Sequence, residues 1–195
     1  MTDIRDLDRQ AVQTSVEIVS TLTTADLGRP TPCEGWTVSD LLAHMTVQHH
    51  GFAAAARGKG GDLAVWAVRP LAADPVRAYD DAAEDVIAAF AEPGALEGKF
   101  TLAEFDGNTF PAPMAMSFHF IDYVVHGWDM ARALGLPYEL AGDLAEHALK
   151  VALSVPDDEQ FRQPGAAFKP ALPAIEESPL DRILTHLGRS PSWSA

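Results

Sequence analysis

Cysteine is almost missing from this chain: Cys33 is the only one in 195 residues. A disulfide framework and a cysteine-rich metal site within one chain are thereby excluded. Basic residues are scarce too, 14 Lys and Arg against 28 Asp and Glu, which gives a net charge of -14 and a pI near 4.7. No basic cluster breaks the acidic excess, so neither a nucleic acid nor an anionic membrane is an expected partner. No apolar run approaches the roughly 18 residues of a membrane span, and the opening MTDIRDLDRQ is charged. A soluble cytoplasmic protein is the expectation. Also lacking are a Gly-rich phosphate loop, a serine-nucleophile elbow, a Rossmann fingerprint and any internal repeat.

What the chain does have is apolar content, 47% of its residues, enough for a sizeable core. Its length suits one domain over residues 1–195, with 157–195 as a C-terminal extension packed on it. Apolar residues recur at helical spacing from Asp3 to about Thr23, and Gly28 and Pro30 end that pattern. Thr37 with Asp40 three residues on is a capping signature for a second helix, Val38 to about Ala56. Asp74-Pro75 opens a third, to about Ala91, which Pro93-Gly94 stops. Residues 95–113, with the turn-prone pair Gly107-Asn108, read as an irregular connection across the bundle. A helix from Met114 to Leu134 ends at Gly135, another spans about Gly142 to Val155, and Ser178-Pro179 starts a short last one. With no convincing strand run, the expected fold is all-α: an up-and-down four-helix bundle with one or two additional short helices.

The 114–134 stretch organises the rest. Met114, Phe118, Ile121, Val124, Val125 and Met130 cannot all face water, so this helix should lie deep. Yet His119, Asp122, His126 and Asp129 follow at steps of three, four and three, which stacks them on one face. Burying imidazoles and carboxylates there costs several kcal/mol unless they pair or bind a metal. Asp122 and His126 are placed to share a metal, and His44 on a neighbouring helix supplies a third ligand. Two His and one carboxylate with an open position suit catalytic zinc and non-haem iron, with nickel also open. The same spacing equally suits an Asp–His hydrogen bond inside a bundle.

His119 and Asp129 flank this trio and suit catalytic or orienting roles, as proton relay or ligand support. For Asp129 an ion pair with Arg132 at i,i+3 competes. His49 and His50 diverge from the His44 face and read as pocket rim or surface, and His147 and His186 as surface. Cys33 is either a reactive loop thiol or a buried structural residue, the latter preferred. Trp36 and Trp128 are expected near the bundle's ends as core, although either could line a pocket.

The segment Thr31-Pro32-Cys33-Glu34-Gly35-Trp36-Thr37-Val38, continuing to Leu42-Ala43-His44, resembles the start of the mycothiol-dependent maleylpyruvate isomerase N-terminal domain family. That family lies in the DinB/YfiT-like superfamily of metal-binding four-helix bundles. His119-x-x-Asp122-x-x-x-His126-Gly127-Trp128-Asp129-Met130-Ala131-Arg132 is similar to its second signature. The end, Asp181-Arg182-Ile183-Leu184 through Gly188-Arg189, resembles an uncharacterised actinobacterial branch. The resemblance implies a DinB-like bundle, with His44 as first metal ligand, Asp122 as the middle one and His126 as the last. It implies a divalent metal, zinc first, and mycothiol as co-substrate. The isomerase has Glu, and many relatives His, where this chain has Asp122. It also carries a separate C-terminal domain for which this chain has no room, so substrate identity does not carry over.

Three functions follow as expectations. One is a thiol-dependent transferase or isomerase acting on a small electrophile. The others are a metal-dependent hydrolase with His119 or Asp129 as base, and a non-catalytic small-ligand or metal-binding protein. The expected partner is a small-molecule substrate, or, for the non-catalytic reading, a small ligand in the bundle pocket or a partner on its surface; a homodimer is compatible with a sequence that does not address oligomeric state.

Overall fold

Asp3, Thr37, Asp74 and Ser178 each supply an acceptor for the first N–H groups of a helix. A computed structural model describes residues 3–140, 142–163, 167–173 and 178–194; Pro164 and residues 174–177 of the expected extension lie outside these. Asp3 accepts from the Arg5 amide at the start of α1 (Ile4–Val19). Thr37 and Asp40 form a reciprocal capping box on α2 (Val38–Ala56). Asp74 accepts from the Arg77 amide ahead of α3 (Pro75–Ala91), with Pro75 at its first position. α4 (Ala112–Leu134) ends in Gly135, whose left-handed backbone (φ +74) returns its amide to Ala131 and Arg132. α5 (Gly142–Ser154) and the Ser178-capped α6 (Pro179–His186) complete the helices. α1 stops a turn before the expected Thr23. The Ser20 and Thr21 hydroxyls bond carbonyls three residues back, which competes with helical continuation.

The 95–113 connection departs from expectation: it contains an antiparallel hairpin. β1 (Lys99–Leu102) pairs with β2 (Asn108–Pro111), Phe100 opposite Phe110 and Leu102 opposite Asn108. A 3-10 turn over Ala103–Phe105 forms the tip, and Asp106 (φ 54) and Gly107 (φ 71) bring the chain back in left-handed backbone. Each strand has four residues, too few for alternation to register against the helical background.

Four helices form the bundle. α1 packs against α3 and α4, and α2 packs against the same two, so α1 and α2 face each other across one diagonal. His44 meets His126 while Phe52 meets His119, so α2 and α4 run in opposite directions. His49 meets Tyr79 while Arg57 bonds Asp85 and Glu92, so α2 and α3 run the same way. Parallel neighbours need a connection that travels the bundle's length, and residues 57–74 provide it. There Trp66 lies flat on Gly51 of α2, where a Cβ would come within 2.2 Å of its ring. The indole N–H donates to the Gly60 carbonyl (2.8 Å).

α4 is the central helix, as its composition predicts. From Ala115 to Ala133 only Ser117, Phe118, Asp122 and Arg132 are more than marginally exposed. α5 and α6 pack on each other beside the bundle. Past α6, Gly188 takes φ +76 and turns the chain so that Arg189 enters the bundle and is buried. The fold is all-α with one small hairpin.

Candidate functional site

His44 projects from the middle of α2, and Asp122 and His126 from one face of α4. His126 Nε2 lies 3.3 Å from Asp122 Oδ1, and His44 Nε2 lies 4.0 Å from Asp122 Oδ2. One donor atom of each residue is within 4.8 Å of the other two. Tetrahedral zinc with ligands at about 2.0–2.1 Å sets its donors roughly 3.4 Å apart. Small side-chain adjustments would therefore close the trio on a cation, and its two imidazoles and one carboxylate fit zinc, nickel or iron. The His44 and Asp122 side chains are 23% and 17% exposed, so solvent reaches this point. The Trp36 ring sits 5.0 Å from that of His44 and lies nearly parallel to that of His126. Trp36 therefore borders the trio, whereas Trp128 is buried with the Arg132 guanidinium over its ring.

Behind His126 is a second layer. Asp129 Oδ2 lies 2.9 Å from His126 Nδ1, so a proton on Nδ1 leaves the Nε2 lone pair facing Asp122 and His44. Asp129 is wholly buried, and its partner is Arg189 rather than the sequence-adjacent Arg132. Arg189 Nε donates to both carboxylate oxygens at 3.1 and 3.2 Å and Nη2 to Oδ2 at 3.2 Å. The Cys33 thiol also donates to Oδ2 (3.2 Å), and Arg189 Nη2 lies 3.4 Å from its sulfur. Cys33, His126 and Asp129 are themselves close enough to share an ion, but the Arg189 guanidinium already supplies positive charge there. Arg132 instead donates to the Pro191 carbonyl (3.0 Å). Nothing local in the sequence marks Arg189 as the partner of a residue sixty positions earlier.

Electrostatics follow from this packing. Burial pushes His44 down to about 4, and the neighbouring His126 adds to the effect. Burial also opposes charge on His126, yet Asp122 and Asp129 outweigh it and hold this imidazole well above the ordinary range. For Asp122, burial is outweighed by His126 and His44, and its carboxyl is held down.

His119 sits elsewhere in the core. Its Nδ1 is 2.6 Å from Asp8 Oδ1 and its Nε2 is 3.2 Å from His49 Nδ1, so both ring nitrogens are engaged away from the trio. Phe52, Phe90 and Tyr123 surround it. His49, expected at a pocket rim or the surface, is fully buried and stacked on Tyr123 (4.1 Å between centroids). The five-residue step from His44 carries it to the inward face of α2. His50 is exposed, as expected. His147 and His186 bond carbonyls of Asp143 and Val155, outside the site. Two further residues, unmarked in the sequence, pair one turn along α2. Gln48, one turn beyond His44, donates to both carboxylate oxygens of Glu104 on the hairpin tip (3.0 and 2.9 Å). Burial raises the Glu104 carboxyl, Gln48 opposes this, and the charge of Asp122 adds to it.

Residues 9–131 match the family described as the mycothiol maleylpyruvate isomerase N-terminal domain. The chain belongs to that family. Two uncharacterized proteins of Mycobacterium tuberculosis, from strains CDC 1551 / Oshkosh and ATCC 25618 / H37Rv, are each 32% identical to it over 172 residues. Each match covers 84% of this chain and 85% of the relative. Among solved structures, the mycothiol-dependent maleylpyruvate isomerase superimposes with a TM-score of 0.64 at 18% identity, over 98% of this chain and 94% of that one. A histidine-to-alanine mutant of that isomerase gives 0.58 at 17% identity, over 85% and 76%. Family and superposition agree with the helical bundle described above.

Proposed function

We propose that this chain is a metal-dependent, thiol-using enzyme of the isomerase family, transferring mycothiol to, or isomerising with it, a small electrophile. His44, Asp122 and His126 would hold the metal, and the whole chain, with residues 157–195 folded back on the bundle, would act as one domain. A divalent cation bound there supplies Lewis acidity that lowers the pKa of a thiol or water at its open position. The observation that carries this proposal is the Asp129 carboxylate on His126 Nδ1. It is the second-layer support that metal-ligating histidines use, and a plain Asp–His pair inside a bundle would not require it.

The chain's own residues divide the work. Asp129, fixed by Arg189 and Cys33, holds His126 in the tautomer whose Nε2 faces the site. Cys33 serves that layer and is not the nucleophile, because its sulfur lies behind His126, on the Nδ1 side. The nucleophile then comes from solution. His119, engaged by Asp8 and His49, contributes by fixing α4. That His119 and Asp129 are both occupied supports the thiol chemistry over a hydrolase needing one of them as base.

Protein purified without chelator should contain about one divalent metal per chain by elemental analysis, and a His44→Ala/His126→Ala variant none. With mycothiol supplied, loaded protein should turn over an electrophile such as maleylpyruvate or a bromobimane. Turnover unchanged by omitting the thiol would favour the hydrolase. Intact metal with no turnover of any substrate would favour a binding protein.

A further inference from the structure

The hairpin tip reaches both helices that carry the trio, and reaches each one turn away from it. Gln48, which holds Glu104, is four residues after His44 on α2; Phe118, on which Phe105 stacks (5.5 Å, 23°), is four residues before Asp122 on α4. Phe110 of β2 stands edge-on to both rings, 5.7 Å from Phe105 and 5.2 Å from Phe118. This wall is not sealed: Phe105 is 38% exposed and Met114, at the start of the same helix, 49%. On the other side of the trio stands the Trp36 indole. The trio is thus flanked by aromatic surface on two sides, open to water in between.

Charge narrows what could enter. With Asp122 committed to the metal, an incoming anion would still meet the Glu104 carboxylate at the hairpin tip, while Arg189, whose charge reaches His44, is committed to Asp129. Aromatic rings reward apolar and aryl groups through dispersion and offset or edge-on contact. A dicarboxylate gains little from them.

We propose that the hairpin tip, Glu104 and Phe105 with Phe118, is the substrate-facing wall of the His44–Asp122–His126 site, and that it selects an uncharged aryl or apolar electrophile over a dicarboxylate such as maleylpyruvate. The inference rests on the thiol-transfer function above. With an aryl halide, the thiolate sulfur forms a C–S bond to the ring carbon. The carbon–halogen bond breaks, halide leaves with the bonding pair, and the thiol's proton passes to solvent.

The test separates binding from turnover. Nitrobenzene and fumarate, neither of which reacts, are titrated into full-length zinc-supplemented protein and followed by NMR and calorimetry. Nitrobenzene should bind more tightly than fumarate. Phe105→Ala should weaken nitrobenzene about tenfold and Phe105→Leu less, as expected for loss of one ring contact. Glu104→Gln should strengthen fumarate about fivefold and leave nitrobenzene unchanged, the effect of one removed charge at partial exposure. Both positions lie on the hairpin tip away from the bundle core, and circular dichroism confirms that each variant folds. Fumarate binding as tightly as nitrobenzene, or nitrobenzene indifferent to Phe105→Ala, overturns the assignment. Turnover with mycothiol is then compared for 1-chloro-2,4-dinitrobenzene and maleylpyruvate. No turnover of either, with the binding preference intact, would sink the thiol-transfer function and leave the wall's selectivity standing.

Discussion

Among single residues, His49 makes the sharpest energetic statement. Among the described residues nothing partners its buried Nε2, and burial holds the ring well below the usual histidine pKa, with the charges of His119 and His50 adding to that. The groups packed around it are His119, Tyr79 and Tyr123, with Asp8 behind His119. The sign follows from proton counting. Between its depressed folded value and the ordinary 6.5, the unfolded chain binds a proton that the folded chain refuses. Stability therefore falls as pH drops below about 6.5, by at most roughly 1.4 kcal/mol per pH unit for this one group. A His49→Phe variant keeps a ring on Tyr123 and should show a shallower acid slope in urea titrations between neutral pH and about pH 5. An unchanged slope would mean that His49 already takes up its proton in the folded state.

At the scale of elements, the decisive contact ties the end of the chain to its central helix. α6 is only eight residues long, too short to persist without tertiary support. Its anchor is Arg189 on Asp129, a buried pair completed by Cys33. Removing the guanidinium leaves a carboxylate buried without its cation, which costs about 3–5 kcal/mol. Arg189→Ala should therefore lower the denaturation midpoint strongly. Asp129→Asn/Arg189→Ala together should recover part of the loss, because the stranded charge is gone. Equal midpoints for the single and double variants would place the loss in packing and not in charge.

On the scale of the whole molecule, a net charge of -14 makes the folded chain repel itself. Potassium chloride should raise the melting temperature progressively as the Debye length shrinks from about 30 Å at 0.01 M to about 3 Å at 1 M. A melting temperature that fell over this range would show that attractive surface pairs, such as Arg57 with Asp85 and Glu92, outweigh the repulsion. No helix among the described residues is long and apolar enough to cross a membrane, in keeping with that charge.

The sequence by itself determined what repeats locally. Helix starts were written in Thr37/Asp40, Asp74-Pro75 and Ser178-Pro179 because a cap needs only neighbours three residues away. The depth of α4 was legible because apolar residues all round a helix have nowhere else to go. His44, Asp122 and His126 could be named together, two of them by their step along one helix, the third only by supposing a neighbour. Tertiary structure alone decided the rest. It turned His119 and His49 toward each other and Asp8, assigned Asp129 to Arg189 over the nearer Arg132, and set Trp36 beside His44. It also formed the hairpin, whose four-residue strands are held by partners and not by their own pattern, and laid its tip across α2 and α4. Those choices rest on contacts between residues far apart in the chain, where spacing says nothing about which side chains meet.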